Sequence, residues 1–355
     1  MPTISAMIKN YSYHPTMSRK LKKYKLEDIV KSFPSEGSFI VSLQDSEIAV
    51  SWWVSAKRTR SYPYERVYDT LSFAGKKATI IPIFKDEGIQ GERDYLQWDT
   101  ISMMSLLGIY VIIAFYSTAE KSSRYENKIT KQRFDSDYIQ AKLNELKRTP
   151  YSVIEWNSYQ TDNINEIGEK AIESYRRISK KIGVQMHPFD SAIKRIDKIS
   201  KSRQSFMISS RELAQLAQMR ESSFDQPSEN VDGTKARLTI SDSLGGIYFL
   251  TSDEMQINGD QILLIEAKHS GTKELPSKSD IKDGFFKMSL FTNLEDVKMN
   301  GRFYKPMPVL KLTSSCQSTY ESLSSAYQEK LKNIFSEGKK NGFKILYNDK
   351  YLEID

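Results

Sequence analysis

Cysteine occurs once in this 355-residue chain, as Cys316, and histidine three times, as His14, His187 and His269. A disulfide framework needs paired thiols, and a zinc site needs several thiolates or imidazoles at short spacing, so neither organises this protein. Any metal it uses must then sit on oxygen ligands, which points to magnesium or a relative. No apolar run is long enough to cross a bilayer. The longest, Leu106 to Phe115, is broken by Gly108 and reads as a buried strand, so no membrane partner is expected. Met1 to Asn10 lacks the basic start and apolar centre of a secretion signal. A cytoplasmic location is expected, and one thiol suits a reducing compartment. Internal repeats and low-complexity tracts are missing too, which leaves hydrophobic periodicity and turn residues as guides.

What is present is an ordinary globular composition: 39% hydrophobic and 27% charged residues, with a mean hydropathy of -0.53. The length suits two domains, or one core with a large insertion. The net charge is +7. The excess is clustered at Arg19, Lys20, Lys22, Lys23 and Lys25; at Lys57, Arg58 and Arg60; at Arg176, Arg177, Lys180 and Lys181; and at Lys194, Arg195, Lys198, Lys201 and Arg203. Any one cluster reads as a solvated helix face; four together point to a polyanionic partner such as nucleic acid.

The periodicity predicts a mixed α/β chain. Ala78 to Ile83 reads as a strand, Lys85 to Asp94 as a charged loop, Trp98 to Leu107 as a helix and Ile109 to Tyr116 as a buried strand. Amphipathic helices follow over 133–148, 164–182, 190–203 and 209–221, the last with Leu213, Leu216 and Ala217 as its stripe. Ser222 to Gly233 reads as a polar loop. Strands are predicted over 238–240 and 244–251, a polar link over Ser252 to Gly259, and a strand over Gln261 to Ala267. A helix over 280–294, a strand over 309–313, a helix over 319–335 and a strand over 343–347 complete the order. The reading divides the chain at residue 204: an N-terminal α/β region over 1–204 for DNA recognition or dimerisation, and a catalytic core over 205–355.

One strand end carries unusual chemistry. Ile262, Leu263, Leu264 and Ile265 lead into Glu266-Ala267-Lys268, which puts a carboxylate and an ammonium on one face by the period of two. The same acid-x-lysine spacing recurs at Glu126/Lys128, Glu145/Lys147, Asp280/Lys282, Asp296/Lys298 and Glu337/Lys339, but there it falls on helices, helix starts or loops, where an exposed ion pair is the default. This strand end resembles that of the PD-(D/E)XK nucleases, and the resemblance implies a further metal-binding acid on the neighbouring strand. Asp242 is preferred, because Ser252-Asp253-Glu254 reads as loop; the alternative is Asp253, if the hairpin closes tightly at Gly259-Asp260.

Asp242 with Glu266-Ala267-Lys268 between helices resembles the PD-(D/E)XK nuclease superfamily, and within it a type II restriction endonuclease, over about residues 205 to 315. The family's Pro-Asp pair is absent, since Asp242 follows Ser241. The resemblance implies a restriction-endonuclease-like core, a central mixed sheet flanked by helices. It also implies that Asp242, Glu266 and the Ala267 carbonyl hold Mg2+, that Lys268 orients or deprotonates water or stabilises the phosphate, and that double-stranded DNA is cut by a homodimer. Glu212 or Glu221 could add a metal contact. His269, by alternation, points away from Lys268 and reads as structural. Trp52, Trp53, Tyr62 and Tyr64 among the basic residues read first as core aromatics.

Overall fold

The computed structural model describes residues 1–31, 33–56, 63–221, 234–348 and 350–352. Lys57, Arg58, Arg60, Tyr62 and the loop read over Ser222 to Gly233 lie outside the described residues, as do the side chains of Leu213, Ala217 and Glu221. The protein is a mixed α/β chain of two compact units, one built from Met1–Arg19 with Glu212–Asp355 and the other from Lys20–Arg211.

The first unit holds, among the described residues, a nine-stranded sheet in the order Arg302–Phe303, Glu295–Met299, Thr3–Ile8, Thr234–Asp242, Ile247–Asn258, Gln261–Ser270, Lys305–Ser314, Lys344–Tyr347 and Lys350–Tyr351. Its middle is an antiparallel meander, and Lys305–Ser314 joins parallel to Gln261–Ser270 after the crossover helix Lys278–Phe291. The division at residue 204 is corrected at the N-terminus. Thr3–Ile8 pairs parallel with Thr234–Asp242, from Thr3 opposite Arg237 to Ile8 opposite Asp242. Its strict alternation buries Ile4, Ala6 and Ile8 in this sheet, so the first residues belong with the C-terminal half.

A second correction decides the site. The segment read as a polar link is the outer half of the strand Ile247–Asn258, in register with the next strand from Glu254 opposite Ile265 to Asn258 opposite Gln261. The hairpin closes in two residues, with Gly259 at φ +65°, a conformation glycine adopts without steric cost. Ser252, Asp253 and Glu254 are buried polar residues that pair with groups on other strands. Ser252 Oγ donates to the Glu254 and Ile265 carbonyls, Asp253 accepts from the Ala267 amide, and Glu254 meets Lys311 Nζ at 2.8 Å.

In the second unit a five-stranded sheet runs Lys23–Lys25, Ser38–Leu43, Ser46–Trp52, Lys76–Pro82 and Tyr110–Ala114. The helix Val153–Asp162, for which no expectation was formed, satisfies the open edge of Tyr110–Ala114: Asn157 Oδ1 accepts from the Val111 amide at 2.6 Å, and Trp156 Nε1 donates to the Val111 carbonyl at 2.8 Å. Other boundaries moved by local chemistry. The helix expected from 133 begins at Ser136, because Asp135 caps it by accepting from the Tyr138 amide and Ile129–Phe134 is a strand. The long helix expected from 319 begins at Ser325 and runs to Asn341, ending at Gly342 with φ +76°.

Gly338 in that last helix lies where a Cβ would come within 2.7 Å of the Phe343 carbonyl oxygen. Gly338→Ala gains helix propensity yet forces backbone apart, and a net loss of about 1–3 kcal/mol is expected. Urea unfolding of the purified variant checks this, and equal or greater stability would show that the helix end yields freely.

Candidate functional site

The hairpin builds the site. The paired register ends with Glu254 opposite Ile265, and just beyond it Asp253 Oδ2 accepts from the Ala267 amide at 2.8 Å, next to Glu266 on the adjacent strand. Two residues on, Lys268 returns to the Glu266 face, and its Nζ lies 3.0 Å from Glu266 Oε1. Asp253, Glu266 and Lys268 therefore share one face of two adjacent strands.

Asp242, the preferred first carboxylate, is not brought there. The strand Thr234–Asp242 meets the rung of Asp253 near Lys235, at its opposite end, so roughly 20 Å of extended backbone intervene. Asp242 instead holds a turn. Its Oδ1 accepts from the Leu244 and Gly246 amides at 2.8 and 2.7 Å, Oδ2 accepts from the Tyr248 hydroxyl, and Gly245 takes φ +82° within the loop. The preference rested on treating Ser252 to Glu254 as loop, and the continuous strand there removes its premise.

The crossover helix Lys278–Phe291 supplies two more charges that the sequence reading missed. Lys287 Nζ lies 2.5 Å from Glu266 Oε2, and Asp283 Oδ2 lies 3.1 Å from Lys268 Nζ. This helix is buried on more than its apolar stripe, for Lys282 and Ser289 are buried along with Ile281, Phe285 and Met288. Gly284 permits the approach, since a Cβ there would stand 2.7 Å from Leu310 Cδ1 and 3.6 Å from Lys268 Cε. Asp283 and Lys287 are spaced i,i+4, which from sequence alone reads as a surface pair. The usable signal was that the apolar residues Ile281, Phe285, Phe286, Met288, Leu290 and Phe291 are spread around the helix and not confined to one stripe.

Glu266 is 2% exposed. Burial alone would raise its carboxyl, but the Lys287 and Lys268 ammoniums outweigh it and hold the group down at about 2. Burial likewise would lower Lys268, yet Glu266, Asp283 and Asp253 push it well above its ordinary value, so it stays an ammonium. Asp283 is raised chiefly by its burial.

Among the described residues no group of three or more Asp, Glu, His or Cys side chains is arranged to hold a metal ion. The donors at the hairpin still suit a hard cation. Asp253 and Glu266 are carboxylates on adjacent strands joined by the Asp253–Ala267 hydrogen bond, the Ala267 carbonyl lies between Glu266 and Lys268 in the chain, and the Lys287 ammonium already seats a positive charge on Glu266 Oε2. Glu212 is exposed on the helix Arg203–Glu221. His269 is held by Thr313 Oγ1 at 2.9 Å and Ser315 Oγ at 3.2 Å.

In the other unit, Trp53 is fully buried, and Trp52 Nε1 donates to the Glu36 carbonyl beneath the Arg66 guanidinium. Tyr64 stands edge-on to Trp53. These are packing aromatics. The charged loop Lys85 to Asp94 folds as a two-stranded ribbon around Asp86, which is fully buried. Arg93 Nε at 2.8 Å, His187 Nδ1 at 2.8 Å and the Gly88 amide at 2.9 Å bind its carboxylate. Arg176, Arg177, Lys180 and Lys181 are exposed on the helix Ile164–Ile182, and Lys194 and Lys198 on Phe189–Ser200. Among the described residues no helix is long and apolar enough to cross a membrane.

No protein family matches this chain, and no curated protein matches it. One solved structure, titled an adenylation, ketoreductase and pseudo Asub multidomain structure of a keto acid-selecting NRPS module, aligns at 13% identity with a TM-score of 0.13. The alignment takes in 98% of this chain, which spans 25% of that one, and so weak a likeness carries no argument.

Because the folded value of Glu266 lies below the ordinary 4.5, its contribution to stability is fully present above about pH 4.5 and is lost as pH falls towards about 2. Glu266→Gln should flatten that acid-labile part of the stability curve. At pH 7 it should also cost about 3–5 kcal/mol by leaving two buried ammoniums poorly compensated. Urea midpoints at pH 7, 4 and 3 test both statements, and an unchanged acid slope would rule out Glu266 as its source.

Proposed function

We propose that this protein is a Mg2+-dependent endonuclease of the PD-(D/E)XK type that cuts double-stranded DNA at a specific sequence, as type II restriction enzymes do. The observation that carries the reading is the meeting of Asp253, Glu266 and Lys268 on one face of a tightly closed hairpin, followed by a helix and a parallel strand. This is the same chemistry the sequence pointed to, with Asp253 in the place of Asp242.

Hydrolysis of a phosphodiester needs an activated water and relief of the charge that grows on phosphorus. Magnesium, when bound, would supply acidity to a coordinated water and charge to the phosphate. Asp253 and Glu266 would hold it, with the Ala267 carbonyl as a neutral donor. Lys268, charged and gripped by Glu266 and Asp283, is suited to donating hydrogen bonds to a phosphate oxygen and unsuited to removing a proton. The basic helices Ile164–Ile182 and Phe189–Ser200 suit a phosphate backbone. Two strands require two sites, so a homodimer is the natural working form, and one thiol suits a cytoplasmic setting.

A non-catalytic DNA-binding scaffold is the second reading, favoured by the two ammoniums that already neutralise Glu266. Incubation of plasmid and phage DNA with the full-length protein and Mg2+ or Mn2+ separates the two. Discrete fragments are expected from wild type, with Asp253→Asn and Lys268→Ala at least 100-fold slower. Asp242→Asn should cut within several-fold of wild type. A smear would indicate a repair-type or structure-specific nuclease, and DNA binding with no cleavage under either ion would establish the scaffold reading instead.

A further inference from the structure

Glu266 is approached from two sides by ammonium groups that are not equivalent. Lys268 is carried on the strand itself, beside Asp253, and its Nζ is shared between Glu266 Oε1 at 3.0 Å and Asp283 Oδ2 at 3.1 Å. Lys287 comes from the crossover helix and meets the other oxygen, Oε2, at 2.5 Å. Asp283 precedes Lys287 by one helical turn on the same helix, so the two side chains are neighbours along its surface. Rotation of a four-carbon stem is enough to carry the Lys287 ammonium from Glu266 towards Asp283, with no change in backbone. The Lys287 side chain keeps 16% of its exposure and that of Glu266 only 3%, so solvent reaches the cluster on the lysine side.

A buried carboxylate without a counter-charge is strongly destabilising, so a site that is to accept a cation must be compensated by something else beforehand. Lys287 has the position for that task. Lys268 stands on one oxygen, Oε1, whereas a divalent cation and an ammonium seated on the same carboxylate oxygen, Glu266 Oε2, repel each other at a separation where Coulomb forces in a protein are large. They therefore exclude one another. Resting on the cation-dependent reading above, we infer that Lys287 is a built-in counter-ion that occupies the cation position at Glu266 Oε2, and that a divalent cation binds by displacing it towards Asp283. Metal affinity is then set by a competition inside the protein, and the empty site stays folded without metal. Lys287 acts here as a positioning residue, through Glu266.

The test is calorimetric titration of Mn2+ into full-length protein without DNA, at fixed ionic strength, with circular dichroism confirming that each variant is folded. Lys287→Gln, which removes the competing charge, should bind Mn2+ at least tenfold more tightly than wild type. Lys287→Arg, which keeps it, should bind within about threefold of wild type. Asp253→Asn should weaken binding in both the wild-type and the Lys287→Gln background. Equal affinity of wild type and Lys287→Gln, with Asp253→Asn still weakening both, would overturn the counter-ion and leave the metal site standing. Absence of Mn2+ binding by wild type and by Lys287→Gln alike would overturn both.

Discussion

A carboxylate with almost no access to water sits at the centre of the sheet, and the surrounding architecture follows from the need to compensate it. Removing an ion such as Glu266 from water costs several kcal/mol before any partner is counted. Lys268 on the same strand meets part of that cost and Lys287 on the crossover helix meets the rest. This fixes which face of Lys278–Phe291 turns to the sheet. It also explains why a glycine, Gly284, stands where the helix comes nearest to Leu310 and Lys268.

The same constraint operates on the reverse face of the hairpin. Asp253 and Glu254 are consecutive, so strand alternation sends one to each face, and each is buried. Asp253 joins the Glu266 face, while Glu254 pairs with Lys311 at 2.8 Å beside Leu263, Ile265 and Val309. These mid-strand polar residues are stable because Ser252 and Asp253 bond to the adjacent strand and Glu254 reaches Lys311 on the strand beyond it. In the second unit Asp86 is treated in the same way, enclosed by Arg93, His187 and a backbone amide. Buried polar groups are tolerated in both units where hydrogen bonds and ion pairs satisfy them.

Much of the fold was legible. The apolar runs at Ala78 to Ile83, Ile109 to Tyr116 and Gln261 to Ala267 are strands because buried parallel and central strands need apolar residues on both faces. The helix over 164–182 was bounded to the residue by its 3.6-residue stripe and by Gly183 at φ +63°. Legibility failed where polarity was taken as a sign of solvent. Ser252 to Glu254 looked like a turn, and that single misreading favoured Asp242 over Asp253, the carboxylate that lies beside Glu266 and Lys268. Asp283 and Lys287 looked like an ordinary helical surface pair, since nothing in their spacing tells which sheet the helix will cover.

Local order in the chain was enough to mark Glu266 and Lys268 as the exceptional pair, because an acid and a base closing an apolar strand conflict with burial whatever the fold. Local order also excluded thiol and imidazole metal sites and settled the mixed α/β class. Which residues would answer that conflict was decided only by tertiary structure. Hairpin register, set by a two-residue turn at Gly259 and Asp260, chose Asp253, and helix packing chose Asp283 and Lys287. The physical reason is that charge compensation depends on separation in space: at 2.5 Å a lysine twenty-one residues away matters at least as much to Glu266 as Lys268, two residues along its own strand.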